Sequence, residues 1–541
     1  MRKRGDWTWL WLFLLALGLR LAYLPRAHVL QTEGTTYVTL ARHLLQERAY
    51  VGILGETELV MVSAFPHLIA LVGSLVGNLV LGGRIIALLA SAGLVIPTYL
   101  LARDMFHRRV GISAALLVAF HPYLLMYAPL VRVEPPFMLA WLFGIYATWR
   151  SLTDGPRNGW WVSVPIFFGI SYLLKSEGAV YFALSLLIIA LVWLRRYPIG
   201  TWGAAFTLQS ALFLIIAMPV VVWLSGQTGR ITTDTKGIIN YTIAIRIARG
   251  MDYHHAAYGL AQGGAPAGPL LDRNRMVRLG VGQKRPALDD PAYRQGMLRT
   301  LVREARLLRW PLLGYLWIGL AGIGLILGLI RGEGWKVLFP AWYLVPAIIG
   351  VSTILFVWTR YLLPVIPLTA LWAGYGIDGV AEIVAGAWNT SPPTARRVHR
   401  VVVGLILMLV IGLHPYARTA WAQRTVVHDL EQEQAGLWLR TYDPRPDKRI
   451  MSTTSQVPYY ANGIHVPMPV ADRDLILQYA ARRGVEYVVI SETKDKGRPT
   501  AYWRDSHRAP PGWELIFSNQ DPQHPVILIY RITQQDCGCG Q

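Results

Sequence analysis

The chain is short of charge and almost without cysteine. Only 16% of its 541 residues are Asp, Glu, Lys or Arg, against about 25% in soluble domains. That is too little to clothe a soluble surface of this size. Acids are the scarcer sign, 32 against 52 Lys and Arg. The two cysteines, Cys537 and Cys539, lie in the tail CGCGQ. Two thiols one residue apart exclude a four-cysteine metal site and a disulfide framework, and the tail reads as disordered. The C-terminal part also lacks a P-loop, a G-x-G-x-x-G and a nucleophile elbow, so it carries no visible chemistry of its own. No internal repeat is present.

What the chain has is apolar length. Hydrophobic residues make up 53% of it, with 21 Trp. Membrane-length apolar runs recur up to residue 417, at 8–25, 84–102, 111–129, 136–149, 160–174, 178–194, 203–224, 309–329, 338–357, 361–382 and 401–417. This predicts a polytopic α-helical membrane protein of about eleven spans. The N-terminal run has basic flanks, but it is longer than a signal h-region and lacks an A-x-A site, so it reads as a retained span.

Lys and Arg set the expected orientation. With the N-terminus cytoplasmic, the inner segments carry Arg2, Lys3 and Arg4; Arg103, Arg108 and Arg109; Arg150 and Arg157; Arg195 and Arg196; Arg331 and Lys336; and Arg396, Arg397 and Arg400. Each obeys the positive-inside rule, provided that residues 60–80, with Pro66, form an interfacial or re-entrant element. The net charge of +20 then reflects orientation and not nucleic-acid binding, since the basic residues form no single stripe.

Two domains are expected. Residues 1–417 form the transmembrane domain, with outer loops at 26–83 and 226–308. Residues 418–541 form an extracytoplasmic α/β domain. There DLEQEQAGLWLRTY and ADRDLILQYAARRG have helical period, while RIMST, VEYVVIS, WELIFSN and VILIYRI read as strands.

Ionisable residues crowd the predicted outer face, where such groups are functional candidates. In TEGTTYVTLAR, Thr32, Glu33 and Gly34 open a helix whose Tyr37, Leu40, Ala41, Leu44 and Leu45 share a stripe. This predicts an amphipathic helix over 35–47 lying on the membrane. LVRVEPPFM sets Arg132 and Glu134 at a span boundary, with Pro135 and Pro136 stopping the preceding helix. YLLKSEGAVYF sets Lys175 and Glu177 in a short turn, and WTRYLLPVIPL sets Arg360 and Tyr361 at a span end. His254 and His255 are adjacent, so they point to different faces and make a poor metal pair.

These residues resemble a family. Glu33-Gly34-x-x-Tyr37-x-x-x-Ala41-Arg42 after the first span is similar to the first outer loop of the glycosyltransferase-C (GT-C) superfamily. The likeness is to its dolichyl-phosphate-mannose–protein mannosyltransferase and aminoarabinose-transferase-like group. Glu134-Pro135 is similar to that group's Ser/Thr-Glu-Pro, Leu174-Lys175-Ser176-Glu177-Gly178 to its Leu-x-Arg-Pro-Glu-Gly, and Arg360-Tyr361-x-x-Pro364-x-x-Pro367 to its Arg-Tyr-x-x-Pro-x-x-Pro. The chain departs from the pattern at Glu33, where Asp is usual, at Val133, where a hydroxyl is usual, and at Lys175, where Arg is usual.

The resemblance implies a membrane glycosyltransferase of the inner membrane. It would move a sugar from a polyprenyl-phosphate carrier to a protein, lipid or glycan acceptor outside. Glu33 would be the base and Glu134 a second carboxylate that orients the acceptor or helps to hold a divalent cation. Arg360, Lys175 and Arg246 would face the lipid phosphate, and Tyr37, Glu177 and Tyr361 would line the substrate. No other cofactor is implied. A flippase would place its ionisable groups at the bilayer midplane, and a scaffold would tolerate neutralisation of Glu33. These are the competing expectations.

Overall fold

The computed structural model describes residues 6–280, 289–387, 391–417, 429–496, 498–519 and 524–533. Arg2, Lys3, Arg4, Cys537 and Cys539 lie outside them. By internal contacts the chain forms two units. The first comprises Met1–Arg26, Arg84–Trp223 and Met297–Arg424; the second comprises Ala27–Gly83, Leu224–Gly296 and Thr425–Gln541. This differs from a cut at residue 417, because most of the 26–83 and 226–308 segments belongs with the C-terminal segment.

Among the described residues the first unit is helical, and each predicted span falls on one helix or on two in succession. Among the described residues, four helices are long and apolar enough to cross a membrane: Thr8–Arg26, Leu79–Met105, Ile199–Thr228 and Gly334–Ser352. A fifth span is added if Pro291–Leu313 and Tyr315–Ile330, bent by 104°, are counted as one. The remaining helices are shorter or more polar than that standard, so length and composition support fewer spans than the eleven expected. In residues 60–80 the helix is only Phe65–Val76, bounded by Pro66 and by Gly77 at φ 71°. At about 1.5 Å per residue it is too short to cross.

Arg20 lies fully buried inside the first span. Its Nε donates to Ser91 Oγ at 2.9 Å, and its Nη1 to the carbonyls of Ala16 at 3.1 Å and Ala119 at 3.0 Å. Carbonyl oxygens thus replace the water that a buried guanidinium would lose, and they tie three helices together. The helices Tyr315–Ile330 and Val365–Ala387 cross with backbones nearly touching. A Cβ at Gly324 would stand 2.0 Å from the Trp372 carbonyl, and one at Gly376 2.0 Å from that of Leu320. Small residues permit such crossings.

The second unit is built on a five-stranded sheet: β1 (Arg449–Ser452), β2 (Ile464–Pro467), β3 (Tyr487–Ser491), β4 (Trp513–Ser518) and β5 (Ile527–Ile532). Its order is β2-β1-β3-β5-β4. β1 runs parallel to β2 and β3, and β5 runs antiparallel to β3 and β4. Alternation along β3 sends Val488 and Ile490 to a core with Ile476, Tyr479 and Tyr530. It sends Tyr487 and Val489 to another core with Ala435, Leu439 and Ile529. The two predicted helices, Leu430–Tyr442 and Arg473–Arg482, supply those covers.

The predicted amphipathic helix forms over Thr32–Gln46, and protein covers most of its length. Gly34–Ala41 are buried without a break. Thr35 Oγ1 is 2.7 Å from Ser455 Oγ, Arg42 Nη1 donates to Asn462 Oδ1 at 3.0 Å, and Tyr37 meets the Phe65 ring edge-on at 5.2 Å. Tyr37, Leu40 and Ala41 of the apolar stripe are thus covered by protein of the same unit, while Leu45 stays 50% exposed.

Candidate functional site

Within the first unit, three separate connections converge on one carboxylate. Glu134 opens the helix Glu134–Asp154, with Pro135 and Pro136 in its first turn. The prolines therefore start this helix and do not stop the one before it. At these positions the backbone N–H groups have no intrahelical partner to lose. A carboxylate is favoured at a helix N-terminus. Here it is also buried, at 6% exposure, and its Oε2 accepts no hydrogen bond among the described residues.

Three cations, Arg132, Lys175 and Arg360, act on Glu134. Arg132 lies two residues upstream, its guanidinium 5.0 Å from the Tyr127 ring centre. Lys175 caps the C-terminus of Trp160–Leu174, where a cation complements the helix dipole. Its Nζ stands 5.1 Å from the Phe137 ring centre and 3.6 Å from Glu177 Oε1. Arg360 sits in the turn Thr359–Leu362 just before the helix Val365–Ala387. Its Nη2 lies 3.5 Å from the Tyr361 hydroxyl. Around a buried carboxylate such a ring stabilises the ionised form. Three positive charges on one buried negative charge leave an excess, which half-exposed Glu177 offsets only in part.

The structure thus unites Glu134, Lys175, Glu177, Arg360 and Tyr361, and adds Arg132, which sequence reasoning placed at the boundary without a site role. The signal was present, a cation two residues before the acid, but a snorkelling Arg looks the same in sequence.

Glu33, Tyr37 and Arg246 belong to the second unit. Glu33 lies in the first turn of Thr32–Gln46. Tyr37 is core, at 6% exposure. Arg246 lies in Lys236–Ala248, and its Nη1 donates to the Ala256 carbonyl at 3.4 Å. Burial first, and Arg249 second, draw its guanidinium below its usual pKa. The rings of His254 and His255 take different partners, His254 Nδ1 lying 3.5 Å from Arg498 Nη2. Asp252 caps their short helix, its Oδ1 accepting from both backbone N–H groups, and His255 Nδ1 lies 2.5 Å from Asp252 Oδ2.

The surroundings of Glu134 fit an anion better than a divalent cation, because its field is already positive. Among the described residues, one group of three His or acid side chains brings its ligand atoms within 4.8 Å of one another. It is His107, Asp378 and Glu382, and it lies elsewhere.

The turn holding Lys175 is set by Gly178. A Cβ there would come within 2.3 Å of the Tyr172 backbone nitrogen. Gly178→Ala should therefore force the two helix ends apart, costing about 1–3 kcal/mol and lowering turnover as Lys175 moves. Melting and activity measured together check this, and an unchanged pair of values would sink it.

Residues 60–223 match the family described as dolichyl-phosphate-mannose-protein mannosyltransferase. The fold is similar to that of ArnT from Cupriavidus metallidurans in the apo state, with TM-score 0.58 and 14% identity over 96% of this chain and 98% of that one. It is also similar to ArnT from the same organism bound to undecaprenyl phosphate, with TM-score 0.54 and 14% identity over 97% and 98%. The archaeal oligosaccharyltransferase AglB from Archaeoglobus fulgidus, in complex with an inhibitory peptide and a dolichol-phosphate, gives TM-score 0.60 and 12% identity over 99% of this chain and 75% of its own. No curated protein matches the chain.

Proposed function

We propose that this chain, a multi-pass membrane protein with the GT-C glycosyltransferase fold, moves a sugar from a polyprenyl-phosphate carrier to an acceptor on the extracytoplasmic face. The observation that carries this reading is the cluster of Arg132, Lys175 and Arg360 about buried Glu134. In such a transfer the acceptor hydroxyl attacks the sugar's anomeric carbon. The bond from that carbon to the phosphate oxygen breaks, and the polyprenyl phosphate leaves with one more negative charge than it carried in the donor. Cations placed beforehand where that charge develops lower the barrier. Arg is suited to grip phosphate through two parallel hydrogen bonds, and Lys serves as a point charge.

The acceptor proton needs a base, and Glu33 is the candidate. Tyr361 steadies Arg360, Glu177 tempers Lys175, and Arg246 is a further cation for the donor. Tyr37 supports the Glu33 helix from within. The donor class is supported by the solved relatives, one holding undecaprenyl phosphate and another dolichol-phosphate. The acceptor class stays at protein, lipid or glycan. The distribution of Lys and Arg supports a cytoplasmic N-terminus in an inner membrane, with the 418–541 segment outside.

The test is turnover of a panel of radiolabelled polyprenyl-phosphate sugars by purified wild type and Glu33→Gln. One donor should be consumed. Glu33→Gln should slow the reaction by about 10²–10⁴-fold, the usual worth of a general base, while donor binding persists. If no donor turns over, the enzyme reading fails. If Glu33→Gln matches wild type, Glu33 is a helix-end acid and not the base.

A further inference from the structure

A second polar cluster lies in the first unit, far from the cations just described. Its anchor is Asp378, in the helix Val365–Ala387. Arg360 lies just before that helix, and Asp378 is about 20 Å along it from Val365 at 1.5 Å per residue. Asp378 is 1% exposed. His107, in the turn before Arg108–Phe120, brings Nε2 to 3.2 Å from Asp378 Oδ2. His399, in Pro392–Gly412, brings Nε2 to 3.2 Å from Asp378 Oδ1. Glu382 stands one helical turn beyond Asp378, and ligand atoms of His107, Asp378 and Glu382 all lie within 4.8 Å of one another.

Two features separate this group from ordinary ion pairs. Neither Asp378 oxygen has an aligned hydrogen bond among the described residues, and neither does His399 Nε2, although both ring contacts are short. A buried carboxylate with two close ring nitrogens and no aligned donor is a costly arrangement unless something else joins them. The spacing of His107, Asp378 and Glu382 is compatible with an ion that would join them, while His399 backs the other Asp378 oxygen. Around a tetrahedral ion with ligand bonds of about 2.0–2.1 Å, neighbouring ligand atoms stand about 3.3 Å apart. One imidazole and two carboxylates are also a donor set that zinc accepts, with a further position left open.

The local charge allows it. Arg331 Nη2 pairs with Glu382 Oε2 at 2.9 Å, which leaves Oε1 for a ligand bond. Arg109 also acts on Asp378, and the two carboxylates offset these cations. Access is open on one side. The side chains of His107 and Glu382 are 43% and 40% exposed, while His399 at 9% and Asp378 at 1% form the buried back wall.

We propose that His107, Asp378 and Glu382 form a divalent transition-metal site, best suited to zinc, with His399 orienting Asp378 from behind. It would tie the His107 turn to the helix Val365–Ala387. Its role would be structural, since it lies well away from Glu134 and the three cations. The inference is independent of the sugar-transfer reading.

The experiment uses the full chain in detergent or nanodiscs, stripped with a chelator. It is titrated with zinc against a chromophoric competitor, and metal content and melting are measured alongside. Wild type should hold about one zinc through gel filtration and melt higher with it. Asp378→Asn and His399→Gln should each weaken zinc at least about 10-fold, the smallest loss usual even for groups outside the ligand shell. Those buried variants could fail to fold, so the exposed His107→Ala provides the second arm and should show the same loss in a folded protein. A wild type that retains no zinc, or a His107→Ala with wild-type affinity, would make the cluster an imidazole–carboxylate ion-pair set and overturn the proposal.

Discussion

Arg360→Ala should lower sugar transfer by about 10²–10³-fold, the usual effect of removing one preorganised charge-stabilising donor. Arg360 is the cation whose position depends on a rigid support. It sits in a short turn at the head of Val365–Ala387, and that helix is locked to Tyr315–Ile330 by the close crossing at Gly324 and Gly376. A guanidinium held this way can grip a leaving phosphate with two parallel hydrogen bonds. Arg360→Lys keeps the charge but loses the planar fork, so it should recover only part of the activity. The measurement is steady-state turnover with the donor identified in the panel, together with binding of polyprenyl phosphate alone. Arg360→Ala should weaken that binding as well. Turnover and binding both within threefold of wild type would remove Arg360 from the phosphate site.

Glu134→Gln should act in a different way. The substitution is nearly isosteric, but it removes the one buried negative charge facing Arg132, Lys175 and Arg360. Removing one member of a buried charge cluster typically costs about 3–5 kcal/mol, so melting should fall. Turnover should drop at least about 100-fold as the cations repel one another out of position. Polyprenyl phosphate should bind as tightly as before or tighter, because the pocket has become more positive. This split between binding and turnover separates Glu134 from a cation whose loss weakens both. A Glu134→Gln protein that turns over within threefold of wild type would show that the carboxylate does not organise the site.

The helices of the first unit were legible because a membrane-length run of apolar residues leaves few alternatives to a helix. Four of the five strands were legible for a similar reason, as short β-branched and aromatic runs between polar turns. β2 was not. It is four residues long and ends in Pro467, which suits an edge strand but gives no period to read. The fate of Thr32–Gln46 was also hidden. An apolar stripe shows that a helix needs a cover, and the same stripe serves lipid or protein. Only the partners Ser455 and Asn462, more than 400 residues away, decide between them.

The site was legible in parts. Charges in short connections between spans pointed to Glu134, Lys175 and Arg360, but their number around one carboxylate could not be counted from sequence. Arg132 was therefore passed over as a site residue. The histidines show a different limit. His254 and His255 are neighbours in sequence, yet the first ring meets Arg498 and the second Asp252. His107 and His399 meet only through Asp378, on a third element.

The sheet order carries a consequence for how the protein is made. β5 lies between β3 and β4, although it follows both in the chain. β4 therefore leaves the ribosome with no neighbour to pair with, and the β3 edge stays open until Ile527–Ile532 is made. The Thr32–Gln46 helix waits longer still for Ser455 and Asn462. Nascent chains halted before residue 527 would carry an unfinished second unit, with one edge of β3 and both edges of β4 unpaired. Closure of this sheet therefore waits on the last strand of the sequence, whatever the helices of the first unit have already done.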